Sequence, residues 1–337
     1  MTHYKLAFIG FGNVGRALAR LLLDKQADIQ KQYGITYSTV AIATGRHGAA
    51  IQPAGIDLEQ AITVKDFNAL SERPAPTDML TFIKECGADV LFENSPVSYA
   101  DGEPALSHLR ATLQAGMHAS TANKGPVVHG YHELRAIAEQ HGVKFFHEST
   151  VMDGAPLFST FRAALPAARL LRFTGILNST TNLMLSRMEN GESFDEAVAY
   201  AQSIGIAETD PSGDVDGWDA SIKVAALTTV LMDVPFKPQD VDRTGIRAIT
   251  PEDIAAAKAE GKRWKLLCRA ERMPEGVKAK VWPEKVGPET PFYQIDGTTS
   301  IVQFETDVLG RLSIIEENPG PHTTAYGLLA DFLNAVR

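Results

Sequence analysis

The sequence predicts an α/β protein in two domains. A doubly wound parallel sheet is expected over residues 1–150 and an α+β domain over residues 151–322, with a closing helix over residues 323–337. Three observations carry this. Short apolar runs alternate with amphipathic helical stretches through the first 150 residues, the pattern that builds a parallel sheet with helices on both faces. The first of those runs ends in a glycine-rich turn. After about Val151 the alternation gives way to successive helices and then to a strand-rich stretch, 278–315.

The elements follow in order. Residues 5–9 (KLAFI) are an apolar strand ending at Gly10, and residues 14–23 space their apolar side chains for a helix. A second strand is expected at 39–43. Further strands at 88–93, 118–121 and 144–148 alternate with helices at 78–86, 103–115 and 133–141. In the second domain a strand at 170–177 precedes helices at 181–189, 194–203 and 217–232. The runs VKAKVWPEKV, TTSIVQFET and GRLSII then supply a sheet covered by those helices on one face. The final helix, 323–336, is expected to pack back on the first domain.

Composition bounds the function. With 337 residues, 44% hydrophobic and 22% charged, the chain can bury cores for about two ordinary domains. A net charge of −9 and a pI near 5.5 provide no basic stripe for nucleic acid or anionic lipid. The two cysteines, Cys86 and Cys268, have neither metal-ligand nor CxxC spacing, which fits a reducing cytosol. Cys86 reads as a helix end and Cys268 as part of an apolar-basic helix, and neither looks activated as a nucleophile. No run is long enough to span a bilayer, and none has the form of a signal peptide. A cytoplasmic protein is expected.

The glycine-rich turn is Gly10-Phe11-Gly12-Asn13-Val14-Gly15, GxGxxG between a strand and a helix. In that setting the glycines allow a tight turn, close approach of backbone to a pyrophosphate and close helix packing, as in a Rossmann-type dinucleotide site; the alternative is a ligand-free turn. Where an acid would hold the ribose 2′-OH of NAD, the chain reads Thr44-Gly45-Arg46-His47. The Arg46 guanidinium suits a 2′-phosphate, which favours NADP over NAD, unless Arg46 is a solvated loop residue.

Between Gly205 and Lys223 the sequence gathers five acids, Glu208, Asp210, Asp214, Asp216 and Asp219, around the start of one helix. Asp216 reads as its N-cap and Asp219 as its third residue, so part of this acidity is capping. Asp219 and Lys223 lie four apart on a face continued by Ala226, Leu227 and Val230. An exposed pair of this kind is ordinary. One that points inward is costly to bury and suits a site with a tuned lysine.

These residues bring a family into view. Gly175-Ile-Leu-Asn178-Ser179-Thr180-Thr181-Asn182, the Gly205–Lys223 block and Thr121-Ala-Asn123-Lys124 resemble the motifs of homoserine dehydrogenases, and the resemblance runs through nearly the whole chain. It implies an NAD(P)-dependent interconversion of L-homoserine and L-aspartate 4-semialdehyde, in the threonine and methionine branch of amino-acid biosynthesis. By it Lys223 is the proton donor, Gly205, Glu208 and Asp219 contact homoserine, Asp214 belongs with them, and Lys124 lies between cofactor and substrate. The chemistry agrees, because hydride transfer from an alcohol also requires that the hydroxyl proton leave. Thr180 is a candidate for the substrate carboxylate, although Asn178, Ser179 and Asn182 serve equally as turn and capping residues.

Two further segments share the resemblance. Glu148-Ser-Thr-Val151-Met-Asp153-Gly-Ala155 resembles a stretch that holds a sodium ion through backbone oxygens, those of Glu148, Val151, Asp153 and Ala155. Asn94 and Ser95, in Glu93-Asn94-Ser95-Pro96, resemble the nicotinamide-side contact, the alternative being a proline turn. Gly320 is the cofactor-side glycine of the turn 315–322, where the chain carries charge and two prolines in place of some of the family's glycines; Arg311 stands where a proline is common. A monofunctional homodimer without an appended regulatory domain is implied. Competing readings are an aspartate-semialdehyde dehydrogenase, which needs an activated cysteine, a dehydrogenase of another small amino or hydroxy acid, and a dinucleotide sensor without catalysis.

Overall fold

The computed structural model describes residues 1–337. The chain forms two compact units, Met1–Pro156 together with Gly320–Arg337, and Leu157–Pro319. It passes between them at Pro156/Leu157 and Pro319/Gly320, a few residues from the 150/151 and 322/323 boundaries read from the sequence. No helix is long and apolar enough to cross a membrane.

The first unit begins β1 (Thr2–Ile9), α1 (Asn13–Tyr33), β2 (Ile35–Ala43), β3 (Ala49–Ile51), α2 (Leu58–Thr63) and α3 (Met79–Glu85). It continues with β4 (Val90–Glu93), α4 (Ala105–Gln114), β5 (His118–Thr121), α5 (Lys124–His141) and β6 (Phe145–Phe146). The sheet order is β3-β2-β1-β4-β5-β6, parallel throughout except for β3 at the edge. This is the doubly wound α/β arrangement that the alternation predicts, with its order reversing between β1 and β4. Two local readings need correction. The run 144–148 yields only Phe145–Phe146 before a 3-10 turn at Glu148–Thr150, and the helix expected from Glu133 already begins at Lys124.

The second unit contains α6 (Leu157–Ser159), β7 (Leu170–Ile176), α7 (Ser179–Glu189), α8 (Phe194–Ser203), α9 (Ser212–Val215), α10 (Trp218–Leu231) and β8 (Asp242–Arg243). After these come α11 (Pro251–Ala259), β9 (Arg263–Met273), β10 (Gly276–Val286), β11 (Ser300–Thr306) and β12 (Gly310–Glu316). Its sheet runs β12-β11-β7-β9-β10-β8, antiparallel apart from the short β10–β8 pair. Strand β9, beside β7 in the middle, was not expected, and Cys268 lies on it, fully buried, rather than on a helix. The charges of RWKLLCRAERM imitate a surface helix, but each finds a partner inside the unit. Arg263 meets Glu189, Arg269 lies over Trp282, and Arg272 donates to the Leu170 and Met232 carbonyls. Helix α10 buries Ala220–Ile222 and Val224–Thr229, nearly its whole circumference, so it belongs to the core, and within that run only Lys223 is partly exposed.

The chain then returns to the first unit as α12 (Pro321–Val336), which buries Ala325, Leu328, Leu329 and Phe332. The Phe332 ring stands edge-on to Tyr4, Tyr37 and Phe92 at 6.1, 5.8 and 6.4 Å. Burying such a ring contributes roughly 2–3 kcal/mol. Buried Asp331 ties the helix down by accepting from Ser120 Oγ and the Glu148 N–H, both at 3.0 Å.

Candidate active site

At the carboxyl end of β1, Gly10 has φ +85°, and a Cβ there would lie 2.4 Å from the Asn94 carbonyl oxygen. No other residue fits. A Cβ on Gly15 would meet the Gly10 oxygen at 2.9 Å, which brings α1 close under the turn. Gly12 is different: nothing lies within 4 Å of its Cβ position, and as N-cap of α1 it supplies no side chain to the helix N–H groups. The first-turn N–H groups of Asn13, Val14 and Gly15 therefore head a helix whose end has room for a pyrophosphate. Phe11 is buried against Phe8 and Phe67, centroids 5.3 and 5.4 Å away.

The ends of β4 and β5 are tied together beside that turn. Glu93 is fully buried and accepts from the Ser95 N–H at 3.3 Å, from Ser95 Oγ and from Thr121 Oγ1 at 3.4 Å, with His108 Nδ1 also 3.4 Å away. Asn123 donates to the Ser95 and Pro96 carbonyls at 3.0 and 3.2 Å and caps α5 through Gly125 N–H, so Lys124 is the first residue of a helix. Both amide atoms of Asn94 are buried without a hydrogen-bond partner. An orphaned amide at the sheet's switch point suits the carboxamide of a nicotinamide. The residues present thus fit a dinucleotide. Sequence reading did not single out Glu93, whose signal is an acid closing an otherwise apolar strand.

Beyond β2, Thr44 organises the next loop by donating to the Gly48 carbonyl and accepting from the His47 N–H, both at 2.9 Å. Arg46 is exposed on that loop and makes no hydrogen bond or ion pair. In the segment 148–155, Glu148, Val151 and Ala155 are buried, and Met152 and Asp153 take left-handed φ values of 53° and 46°. The Asp153 carboxylate accepts from the Gly320 N–H at 2.6 Å and from Thr323 Oγ1 at 2.8 Å. Gly320 is the N-cap of α12.

In the second unit, Asp219 and Lys223 lie on α10, one turn apart and facing inward. Lys223 Nζ donates to Asp219 Oδ2 and to the Leu177 carbonyl, each at 2.7 Å, and the two side chains are only 15% and 14% exposed. Asn178 donates to Asp214 Oδ1 at 2.6 Å and to Asp219 Oδ2 at 2.9 Å. The structure therefore brings Asp214, Asp219 and Lys223 together at the end of β7 and adds Asn178, which the sequence left as a turn or capping residue. The expected cap is corrected too. Gly217, at φ +81°, is the N-cap of α10, Asp219 its second residue, and Asp216 ends α9 and pairs with Arg247 at 2.9 Å. Only a residue tolerant of positive φ makes so sharp a break between two helices.

Thr180 is buried in the first turn of α7, on the helix rather than in the turn before it. Gly205, at φ +73°, and Glu208 lie exposed on the loop between α8 and α9, and the Glu208 carboxylate makes no hydrogen bond or ion pair. Behind the cluster, burial pushes the Cys268 thiol up to about 12; within the first unit, burial raises that of Cys86 as well. Neither sulfur is a thiolate at neutral pH, which removes the chemistry of a cysteine-dependent semialdehyde dehydrogenase.

Comparison with known proteins bears on both units. Residues 156–333 match the family model for homoserine dehydrogenase, and residues 10–148 match that for the homoserine dehydrogenase NAD-binding domain. The chain is 37% identical to an NAD(+)-dependent homoserine dehydrogenase of Pseudomonas canavaninivorans, over 99% of this chain and 96% of the relative. It is 34% identical to the homoserine dehydrogenase of Methanocaldococcus jannaschii, over 98% and 97%. Among solved structures, a hyperthermophilic archaeal homoserine dehydrogenase in complex with NADPH superposes with a TM-score of 0.83 at 27% identity, covering 99% of this chain and 98% of that one.

Proposed function

Since this chain belongs to the homoserine dehydrogenase family, an NAD(P)-dependent oxidoreductase acting on L-homoserine and L-aspartate 4-semialdehyde, we propose that Lys223 is its general acid and base. The inward-facing, largely covered Lys223–Asp219 pair carries this reading. When bound, the nicotinamide supplies the hydride acceptor or donor. As the alcohol is oxidised its O–H bond breaks, and the proton passes to the neutral Lys223 amine; in reduction the Lys223 ammonium returns it to the alcohol oxygen. Asp219 and the Leu177 carbonyl aim Nζ. Glu208, with Asp214, Asp219 and the Gly205 backbone, suits the substrate ammonium, and Thr180 with the N–H groups of α7 suits its carboxylate. Lys124 offers a cation to the developing alkoxide.

For the dinucleotide we favour NADP(H), because the loop after β2 has no acid and carries exposed Arg46. The name of the Pseudomonas relative favours NAD instead. Arg46→Ala separates the two, since it lowers kcat/KM for NADP⁺ about tenfold or more with little effect on NAD⁺ if Arg46 meets the 2′-phosphate. A monovalent cation would take the carbonyl oxygens of Glu148, Val151, Asp153 and Ala155; the paired left-handed residues there support a site, and replacing sodium by tetramethylammonium at constant ionic strength should then slow turnover. A homodimer through the sheet of the second unit should sediment at twice 36.5 kDa.

The deciding experiment follows reduced-nicotinamide absorbance with L-homoserine and either cofactor, for the native enzyme and Lys223→Ala. We expect the variant to bind cofactor normally and to lose roughly 10²–10⁴-fold in kcat. No turnover by the native enzyme with either cofactor would point to another substrate or to a sensor.

A further inference from the structure

Leu177 and Asn178 are the two residues at which β7 gives way to α7, and both reach the pair assigned above, on whose assignment this inference rests. Leu177 accepts from Lys223 through its carbonyl. Asn178 offers one side-chain nitrogen to two carboxylates, 2.6 Å from Asp214 Oδ1 and 2.9 Å from Asp219 Oδ2. Its Oδ1 accepts from the Thr181 N–H at 2.7 Å. These partners fix which way the amide points, because the reverse would set an oxygen against two carboxylates and an NH₂ against an N–H. Asn178 is 2% exposed, so bulk water does not take its place.

The two acids converge from different helices, Asp214 from α9 and Asp219 from α10, across the left-handed break at Gly217. Carboxylates brought this close each oppose the other's ionisation. A neutral group with two N–H bonds on one nitrogen satisfies both without adding charge. A hydroxyl has a single proton to give, and another cation would compete with Lys223 for Asp219. The same side chain must also present an oxygen to the start of α7, and an asparagine does both.

We propose that Asn178 is a positioning residue for proton transfer, whose amide clamps Asp214 and Asp219 so that Asp219 stays ionised and aimed at Lys223. The titratable groups that reach the pair include Asp214 from α9, Asp219 from α10, the Cys268 thiol from β9, which burial keeps neutral, and Glu208 of the α8–α9 loop, assigned above to the same substrate group.

The test uses the full chain with ¹³Cε-labelled lysine, the Lys223 resonance being assigned with Lys223→Arg. Asn178→Ser and Asn178→Thr both keep an oxygen that caps α7 and lose the forked donor. We expect the Lys223 titration midpoint to fall by about one unit in each, with the ascending, low-pH limb of the kcat profile for homoserine moving with it. A role in capping alone leaves that midpoint where it is in the native enzyme, and this result overturns the proposal. If neither hydroxyl variant folds, Asn178→Gly removes the donor without adding charge and leaves a residue that still serves as an N-cap, and an unmoved midpoint in it is equally fatal. Native enzyme inert toward homoserine would remove Lys223 from that reaction, while the midpoint, read without substrate, would still decide whether the clamp exists.

Discussion

Two lysines lie inside the second unit, and they are held by different means. Lys223 has a carboxylate beside it, whereas fully buried Lys265 donates to two neutral acceptors, Asn182 Oδ1 at 3.0 Å and the Ile295 carbonyl at 2.5 Å. Burial, and secondarily the nearby Arg263 charge, push Lys265 down from 10.5 to about 8. Between those values the unfolded chain holds a proton that the folded chain has released, so folding stability gains as pH rises through about 8 and the gain is complete above the unfolded value. Relative to Lys265→Met, the native protein should become more stable by up to about 3 kcal/mol between pH 7.5 and 10.5, read from urea unfolding at several pH values. A difference that does not change with pH would show that the site leaves this lysine unshifted. The two cases also mark what single residues reveal in sequence. Asp219 and Lys223 were legible because i,i+4 spacing on an apolar face is informative. Lys265 and Asn178 were not: a lysine in an alternating charged run reads as surface, and the residue types that bridge carboxylates are those that cap helices.

Among the elements, those whose ends are punctuated by familiar signals were legible. Helix α8 has a Ser193/Glu196 capping box and was placed with its observed bounds. Helix α5 starts well before Glu133, since Asn123 caps it and Gly125 and Pro126 both lie in its first turn, where the proline's missing N–H costs nothing. Strand β9 was missed because its charges are neutralised by residues distant in sequence. The start of α12 has a local signal in Pro321, but its N-cap is also held from far back along the chain, where Asp153 accepts from the Gly320 N–H and from Thr323 Oγ1. That distant tie makes a prediction. Asp153→Ala should cost about 1–2 kcal/mol and speed amide exchange in the first turns of α12, while Asp153→Asn, which keeps an acceptor and tolerates left-handed φ, should cost a few tenths.

At the scale of the molecule the comparisons and the fold agree with the two-domain α/β reading, because alternation of strands and helices is a long-range pattern that survives local misreadings. The discontinuity of the first unit makes its stability depend on residues far from the dinucleotide turn. Phe332→Ala should destabilise the protein by about 3–5 kcal/mol by emptying the space between Tyr4, Tyr37 and Phe92, and calorimetry with and without NADPH should show the loss in the cofactor-stabilised transition. The same discontinuity bears on how the protein is made. Residues 1–156 leave the ribosome without α12, and roughly 160 residues of the second unit must be translated before that helix exists. At about 5–20 residues per second the apolar face that receives Phe332 waits on the order of 10–30 s for its cover. During that interval the nascent chain offers a hydrophobic sheet surface to whatever binds such surfaces, so chaperone engagement should peak while the second unit is being synthesised and fall once the last helix is released.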